Sequence, residues 1–175
     1  MGGETGRLRD TRVRRRHHHG HPPGFPRIAV TGHRDLTRDT VPLIDAEVRA
    51  FLRAYAPGFV GISCLAGGAD QIFAVAVLEL GGVLEAIVPA REYGEASFEA
   101  LVVRAKTIHR LPYDTPSPRA YVAANEVLVE TADLLLAVWD GSPARGRGGT
   151  AEVVEAAHLR RKRVQVIWPP GATRE

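Results

Sequence analysis

Short apolar runs alternate with longer amphipathic segments along the chain from Phe25 onward. The apolar runs are rich in β-branched residues and end at glycine, proline or polar turns, which predicts buried strands at 27–31, 59–65, 83–88, 133–139 and 164–168. Apolar side chains spaced by three or four positions, or helix-forming residues between turn signals, predict helices at 41–56, 71–80, 97–108, 119–131 and 150–161. Residues 109–117 fit either a short strand or a loop.

Strands that are apolar throughout are buried on both faces, as in a parallel sheet covered by helices. The alternation therefore predicts an α/β fold, a doubly wound three-layer Rossmann-like sandwich with a mainly parallel sheet of about six strands and right-handed crossovers. The 175 residues suit one domain, and we find no internal repeat. We expect this single nucleotide-binding domain to span residues 25–170.

Charge divides the chain into a basic tail and a nearly neutral remainder. Residues 1–24 hold six arginines and two acidic residues, which leaves 17 of the 23 basic and 18 of the 20 acidic residues for the rest. The tail has little to bury and no apolar core of a signal peptide, so we expect disorder. Its arginines predict a weak, salt-sensitive contact with polyanions. Its histidines, His17–His19 and His21, are typical of incidental metal binding or of an expression tag.

Several classes of protein are disfavoured by composition. The single cysteine, Cys64, excludes an internal disulfide and a cysteine-based zinc site, and its apolar surroundings predict an inert buried thiol. No apolar run approaches the roughly 20 residues that span a bilayer, so we expect no membrane contact and a cytoplasmic location. We predict no metal site.

Glycine-rich turns follow three of the predicted strands, at residues 31–35, 66–70 and 139–150. Ligands of open α/β sheets bind beyond the carboxyl ends of the strands, where these turns meet. The third turn opens a helix with Gly148, Gly149 and Thr150, and free N–H groups at such a helix start hold phosphates. The alternative is that the glycines only shape turns. The chain has neither the G-x-G-x-x-G dinucleotide fingerprint nor a Walker A loop.

The segments TGHRD, LAGGADQIFAVAVLELGG, YVAANEVLVETADLLLAVWDG and GRGGTAEVVEAA together resemble the SLOG superfamily of Rossmann-like domains. That superfamily includes the DNA-processing protein A family and the lonely-guy phosphoribohydrolases, which are the lysine decarboxylase-like proteins. The resemblance covers about residues 27–168 and is nearest to small uncharacterised bacterial members. The matching positions are Asn125, Asp133, Trp139, Asp140, Gly141, Gly149 and Thr150.

The resemblance implies a domain that binds or senses a nucleotide or a nucleotide-derived phosphorylated ligand. No cofactor is required beyond that ligand; Mg²⁺ is compatible with it, but no motif indicates the ion. By the resemblance, the phosphate and pocket positions are Gly148, Gly149, Thr150, Gly32, Gly67 and Gly68. From residue chemistry we add His33 as a general acid, Arg34 as a phosphate partner, Asn125 and Gly141. A homodimer is a further expectation.

An enzymatic alternative is a nucleotide N-glycosidase (phosphoribohydrolase) or a deoxyribosyltransferase-like enzyme, with Asp140 and Glu152 as the candidate catalytic carboxylates. The phosphoribohydrolase pattern places its glutamate three residues after the threonine, where this chain has Val153. Since one residue turns a helical side chain by about 100°, Glu152 need not face the ligand. It also fits a first-turn partner of the helix dipole, and Asp140 fits an ordinary Asp-Gly turn.

A third hypothesis is a DNA-handling protein related to the DNA-processing protein A family, with the arginine-rich tail on the DNA backbone. The near-neutral charge of residues 25–175 argues against it. Asp70, which follows the second glycine turn, is expected to cap the next helix rather than to take part in catalysis.

Overall fold

A parallel sheet of six strands forms the centre of the computed structural model, which describes residues 24–175. The strands are β1 (Arg27–Gly32), β2 (Val60–Ser63), β3 (Val83–Val88), β4 (Thr107–Arg110), β5 (Leu134–Val138) and β6 (Arg163–Ile167). Their order is β4-β3-β2-β1-β5-β6, and every neighbouring pair is parallel. The predicted fold class is thereby confirmed. The predicted disorder and basic contacts of the tail fall almost entirely on residues 1–23, outside the described residues.

Helices cover both faces of the sheet, and alternate residues of each central strand pack against opposite helix layers. The helices are α1 (Thr40–Arg53), α2 (Ala69–Glu79), α3 (Ala96–Val102), α4 (Pro118–Thr131) and α5 (Thr150–Leu159). Ile28 and Val30 of β1 belong to the core under α1–α3, whereas Ala29 belongs to the core under α4 and α5. This alternation is the reason that the strands are apolar throughout.

The predicted helix at 97–108 is too long. α3 ends at Val102, and Thr107 and Ile108 begin the edge strand β4, which pairs with Glu85 and Ala86 of β3. Half of this strand is exposed, so its residues alternate between half-buried and exposed instead of forming an apolar run. Because this segment has no apolar run, its sequence pattern looks like a continuation of the preceding helix. The β-branched Thr107 and Ile108 nevertheless favour an extended chain.

The chain reverses its direction across the sheet between β1 and β5, and this reversal creates a crevice. α1 leaves β1 toward one face and α5 leaves β5 toward the other, so the loops that follow the two strands diverge. Gly32 permits a close approach at this point, because a Cβ there would lie 2.5 Å from that of Ala69 and 2.8 Å from that of Val138. The carboxyl ends of β1 and β5 therefore form the predicted site for a ligand.

The last residues of the chain fold back against the loop that follows β1. Leu36 and Arg174 form an antiparallel bridge, and the N–H of Thr173 donates to Oγ1 of Thr40 at 2.8 Å. The N–H of Glu175 donates to the carbonyl of Asp35, also at 2.8 Å. Arg174 is thus placed at the sheet edge where the crevice opens. Within residues 24–175, no helix has the length and apolar character needed to cross a membrane.

Candidate ligand cleft

A cleft of about 380 Å³ lies at the carboxyl ends of the strands, between the β1 and β5 loops, one side of α4 and the first turn of α5. Its volume is in the range of small-molecule sites. Seven of the residues predicted to bind a ligand line its wall: Gly32, His33, Arg34, Asn125, Gly148, Gly149 and Thr150. Residues from distant parts of the sequence therefore converge here as the topology requires.

The glycine turn before α5 presents backbone donors to this cleft. Among the described residues, no acceptor takes the N–H groups of Gly149, Thr150 and Ala151, all three of which line the cleft. Gly148 has a φ of +80°, and a Cβ at this position would lie 3.0 Å from that of Tyr121. Nδ2 of Asn125 donates to the Gly148 carbonyl at 3.0 Å, so this side chain holds the loop in place. The free donors and the helix dipole together favour an anion.

The carboxylate of Glu152 accepts a hydrogen bond from a fourth N–H group of the same turn. The N–H of Gly148 donates to Oε2 of Glu152 at 2.7 Å, and Glu152 is exposed and absent from the cleft wall. The carboxylate therefore caps the turn at the positive end of α5, which is the structural alternative considered for this residue.

Four arginines line the cleft, and two of them are held by carboxylates. Arg174 donates to Asp35 at 2.9 Å and lies 3.5 Å from Asp140, while Arg145 donates to Asp35 at 3.0 Å. Within residues 24–175, no carboxylate forms an ion pair with the other two, Arg34 and Arg147. Arg147 is therefore without a carboxylate partner among these residues, and Arg34 lies over the ring of Tyr121 and faces the buried Asp70 without an ion pair.

His33 and Asp140 form a pair at the edge of the cleft, a partnership that the sequence did not identify. Nε2 of His33 lies 2.9 Å from Oδ1 of Asp140 and 3.2 Å from its backbone N, so the tautomer decides which contact is a hydrogen bond. Burial lowers the pKa of His33 against the opposing effect of Asp140. Although burial opposes ionisation, the Ser142 N–H and His33 lower the pKa of Asp140 to about 2.

Asp140 is consequently an ionised carboxylate that is already engaged. Besides His33, Oδ1 accepts the N–H of Ser142 at 2.9 Å, and Arg174 approaches Oδ2. Asp140 and the adjacent Gly141 do not line the cleft wall. The contacts of Asp140 are those of a side chain that fixes the β5 loop against His33.

Gly67 and Gly68 also lie off the wall of the cleft and shape the turn between β2 and α2. Gly68 has a φ of +75° and a Cβ there would lie 2.5 Å from the His33 carbonyl, which accepts the N–H of Ala69 at 3.1 Å. Gly68 is also the residue that caps α2, so the prediction that Asp70 is the cap is wrong. Asp70 lies inside the first turn as a buried residue that lines the cleft.

The end of the cleft at Asp70 is aromatic. The guanidinium of Arg34 lies over the ring of Tyr121, 5.3 Å from its centre, and the rings of Tyr93 and Tyr121 are 6.4 Å apart. Cys64 lies beside them as a buried thiol whose pKa is raised by burial. In the described part of the chain, no three His, Cys, Asp or Glu side chains converge to hold a metal ion.

Sequence reasoning missed one further feature of this site, the Arg174–Asp35 pair. Arg147 was expected as a possible charge beside the glycine turn, and it lines the cleft. Arg174 and Asp35 are 139 positions apart, and nothing local marks such a pairing.

This strand order, with a glycine-opened helix after β5, defines a Rossmann-like α/β fold. Solved structures with this fold include DNA processing protein A from Streptococcus pneumoniae, at 19% identity and a TM-score of 0.67. The alignment covers 84% of this chain and 52% of that one, so the chain spans about half the length of that protein. DNA processing protein A from Helicobacter pylori, described with its single-stranded DNA binding mode, is 15% identical with a TM-score of 0.64. That alignment covers 85% of this chain and 68% of the other.

The molybdenum cofactor binding protein from Rippkaea orientalis shares the fold at 16% identity and a TM-score of 0.58, over 83% of this chain and 77% of its own. No protein-family model matches the chain, and no curated protein matches it significantly in sequence. At these identities the shared property is the fold.

Proposed function

We propose that this domain binds a nucleotide or a nucleotide-derived phosphorylated ligand in the cleft at the carboxyl ends of β1 and β5, as a binding or sensing domain. The observation that carries the proposal is that three residues lining the cleft, Gly149, Thr150 and Ala151, have N–H groups without an acceptor among the described residues. Arg147, which has no ion pair among the described residues, and Arg34, which lies over Tyr121, add positive charge to the cleft. A phosphate satisfies both features at once.

The rest of the cleft suits the remainder of a nucleotide. Tyr121 stands next to Gly148 and extends toward Tyr93, so aromatic surface continues from the phosphate end into the interior of the site. Flat aromatic walls stack with nucleobases of any sequence, and each such contact contributes about 1–3 kcal/mol. A ligand with a phosphate at one end and a base at the other matches this arrangement.

We favour binding over N-glycosidic hydrolysis or deoxyribosyl transfer because both candidate carboxylates are engaged elsewhere. Glu152 accepts the Gly148 N–H, and Asp140 contacts His33, Ser142 and Arg174. Single-stranded DNA is the second candidate ligand, since the fold is shared with a protein described with its single-stranded DNA binding mode. A cytoplasmic location, a homodimer and a polyanion contact through residues 1–24 stay predictions.

Thermal unfolding in the presence of AMP, ADP, ADP-ribose and a short oligodeoxynucleotide tests the proposal. A ligand at about 100 times its Kd stabilises the folded state by about 2.7 kcal/mol, which raises the melting temperature of a chain of this size by about 5–10 °C. We expect Arg147→Ala to weaken binding by about tenfold, because it removes a charge-assisted phosphate contact. Arg53→Ala is the matched control, since Arg53 is an exposed arginine at the end of α1, outside the cleft.

Thr150→Val should also weaken binding, because it replaces a buried cleft-lining hydroxyl with a methyl group of similar size. A melting temperature unchanged by every nucleotide at millimolar concentration would contradict the proposal. A shift with the oligodeoxynucleotide alone would favour the second candidate.

A further inference from the structure

The interior end of the cleft is a narrow slot with apolar and aromatic walls. Cys64 and Pro89 at the ends of two strands, and Ala124 and Leu128 on α4, line the slot together with the rings of Tyr93 and Tyr121. One acidic side chain, that of Asp70, is also part of this lining. Asp70 is 7% exposed, so it is a polar group buried by more than nine-tenths within the wall of an otherwise apolar region. Such a combination is typical of a slot for a flat heterocycle that is recognised at one edge.

The groups that face Asp70 come from each element around it. Arg34 approaches from the β1–α1 loop, Ser63 and Cys64 from the end of β2, and Tyr93 from the β3–α3 loop, with Tyr121 of α4 behind Tyr93. Burial raises the pKa of Asp70 to about 7, against the opposing charge of Arg34 and hydrogen bonds from the β2–α2 turn. The carboxyl group is therefore available in its protonated form near neutral pH.

Tyr93 provides a second, independent sign of an incomplete site. Its hydroxyl is buried and has no hydrogen-bond partner among the described residues. Burial and the neighbouring Asp70 raise the pKa of this phenol, so it stays a neutral donor. A buried polar group without a partner is costly, and in a folded protein it calls for a reason. Its position beside Asp70 places both groups at the same end of the slot.

Resting on the proposed function, we propose that protonated Asp70 recognises the edge of the ligand's heteroaromatic base, by pairing with a ring nitrogen and the exocyclic group beside it. A protonated carboxyl group has one O–H donor and one carbonyl acceptor side by side. N1 of a 6-aminopurine is the complementary acceptor for the O–H, and its 6-amino group is the complementary donor for the carbonyl oxygen. Reading a base at this edge between apolar walls is a general solution for extracted or free bases.

Two nucleotides that differ only in this edge provide the test. AMP has the 6-amino group, and purine riboside 5′-monophosphate has a hydrogen in its place, with the same sugar and phosphate. Isothermal titration calorimetry should give a Kd at pH 6 at least about tenfold lower for AMP, since one buried hydrogen bond and its desolvated partner separate the two. The ratio of the two Kd values cancels the titration of the phosphate.

Variants at Asp70 assign the difference to this side chain. Asp70→Asn keeps a donor and an acceptor without a proton to lose, so it should retain the preference for AMP from pH 6 to pH 9. Asp70→Ala should abolish the preference while both nucleotides still bind. In the wild type, the affinity for both nucleotides, relative to Asp70→Asn, should decline above about pH 7 by up to tenfold per pH unit, because ionised Asp70 loses the O–H that donates to the N1 they share.

The outcomes separate this inference from the proposed function. Equal binding of AMP and purine riboside 5′-monophosphate, or a preference that survives in Asp70→Ala, would overturn the role of Asp70 and leave the phosphate site standing. A wild-type affinity that rises with pH relative to that of Asp70→Asn would overturn it as well, because an ionised carboxylate repels the N1 of both nucleotides. If neither nucleotide binds, the role of Asp70 is wrong, whereas the phosphate site is refuted only if ADP and ADP-ribose also leave the melting temperature unchanged.

Discussion

The substitution Asp70→Asn should stabilise the folded protein at high pH and have little effect at low pH. In the unfolded chain Asp70 ionises at its ordinary pKa of 3.8, whereas burial raises the pKa to about 7 in the folded state. Between these values the folded protein binds more protons than the unfolded chain, so its stability falls as pH rises and levels off above about pH 7. The rise in pKa corresponds to about 4 kcal/mol at most. Asparagine has the same shape and avoids this penalty.

Urea denaturation of wild type and Asp70→Asn at pH 4.5, 6 and 8 measures the effect. The free energy of unfolding of the variant, relative to wild type, should increase from pH 4.5 to pH 8 by about 2–4 kcal/mol. Asp39→Asn is the matched control for the loss of one negative charge, because Asp39 is exposed and makes no side-chain cap. A difference that is constant with pH, or a variant that is less stable at pH 8, would refute the view that Asp70 is a desolvated carboxyl group.

Three further predictions concern the glycine turns and their partners. Glu152→Gln should tighten AMP binding several-fold in calorimetry, because it removes a negative charge that competes with the phosphate. If the wild type releases free base from nucleotides and this variant does not, Glu152 is catalytic instead. Asn125→Ala should weaken AMP binding by about tenfold and barely change the melting temperature, since it frees the Gly148 carbonyl; unchanged affinity would contradict its positioning role. Gly32→Ala should lower the free energy of unfolding by about 1–3 kcal/mol in urea, because its Cβ overlaps that of Ala69; a neutral effect would show that the strand end can shift.

The sheet and the start of α5 follow from sequence because each depends on local signals. Runs that are apolar on both faces identify the buried strands, and Gly148-Gly149-Thr150 marks a helix start with open donors. Once the parallel sheet is assumed, topology alone brings the ends of β1 and β5 together. Seven predicted binding positions consequently line one cleft.

The remaining features depend on contacts that the sequence does not encode locally. β4 is half exposed and lacks an apolar run, so the helix before it was predicted to continue. Asp140 contacts His33, which is 107 positions away in the sequence. The N–H of Gly148 donates to Glu152 because the turn folds back over the start of α5. Asp70 was assigned to a cap because an aspartate after glycines usually caps a helix, whereas here Gly68 does so.

The most direct measurement of the central claim is a crystal structure of the protein with AMP bound. The account predicts the phosphate at the start of α5, with its oxygens about 2.7–3.2 Å from the N–H groups of Gly149, Thr150 and Ala151. Electron density for AMP in which the phosphate lies away from this helix start, with those three donors turned to solvent, would contradict it.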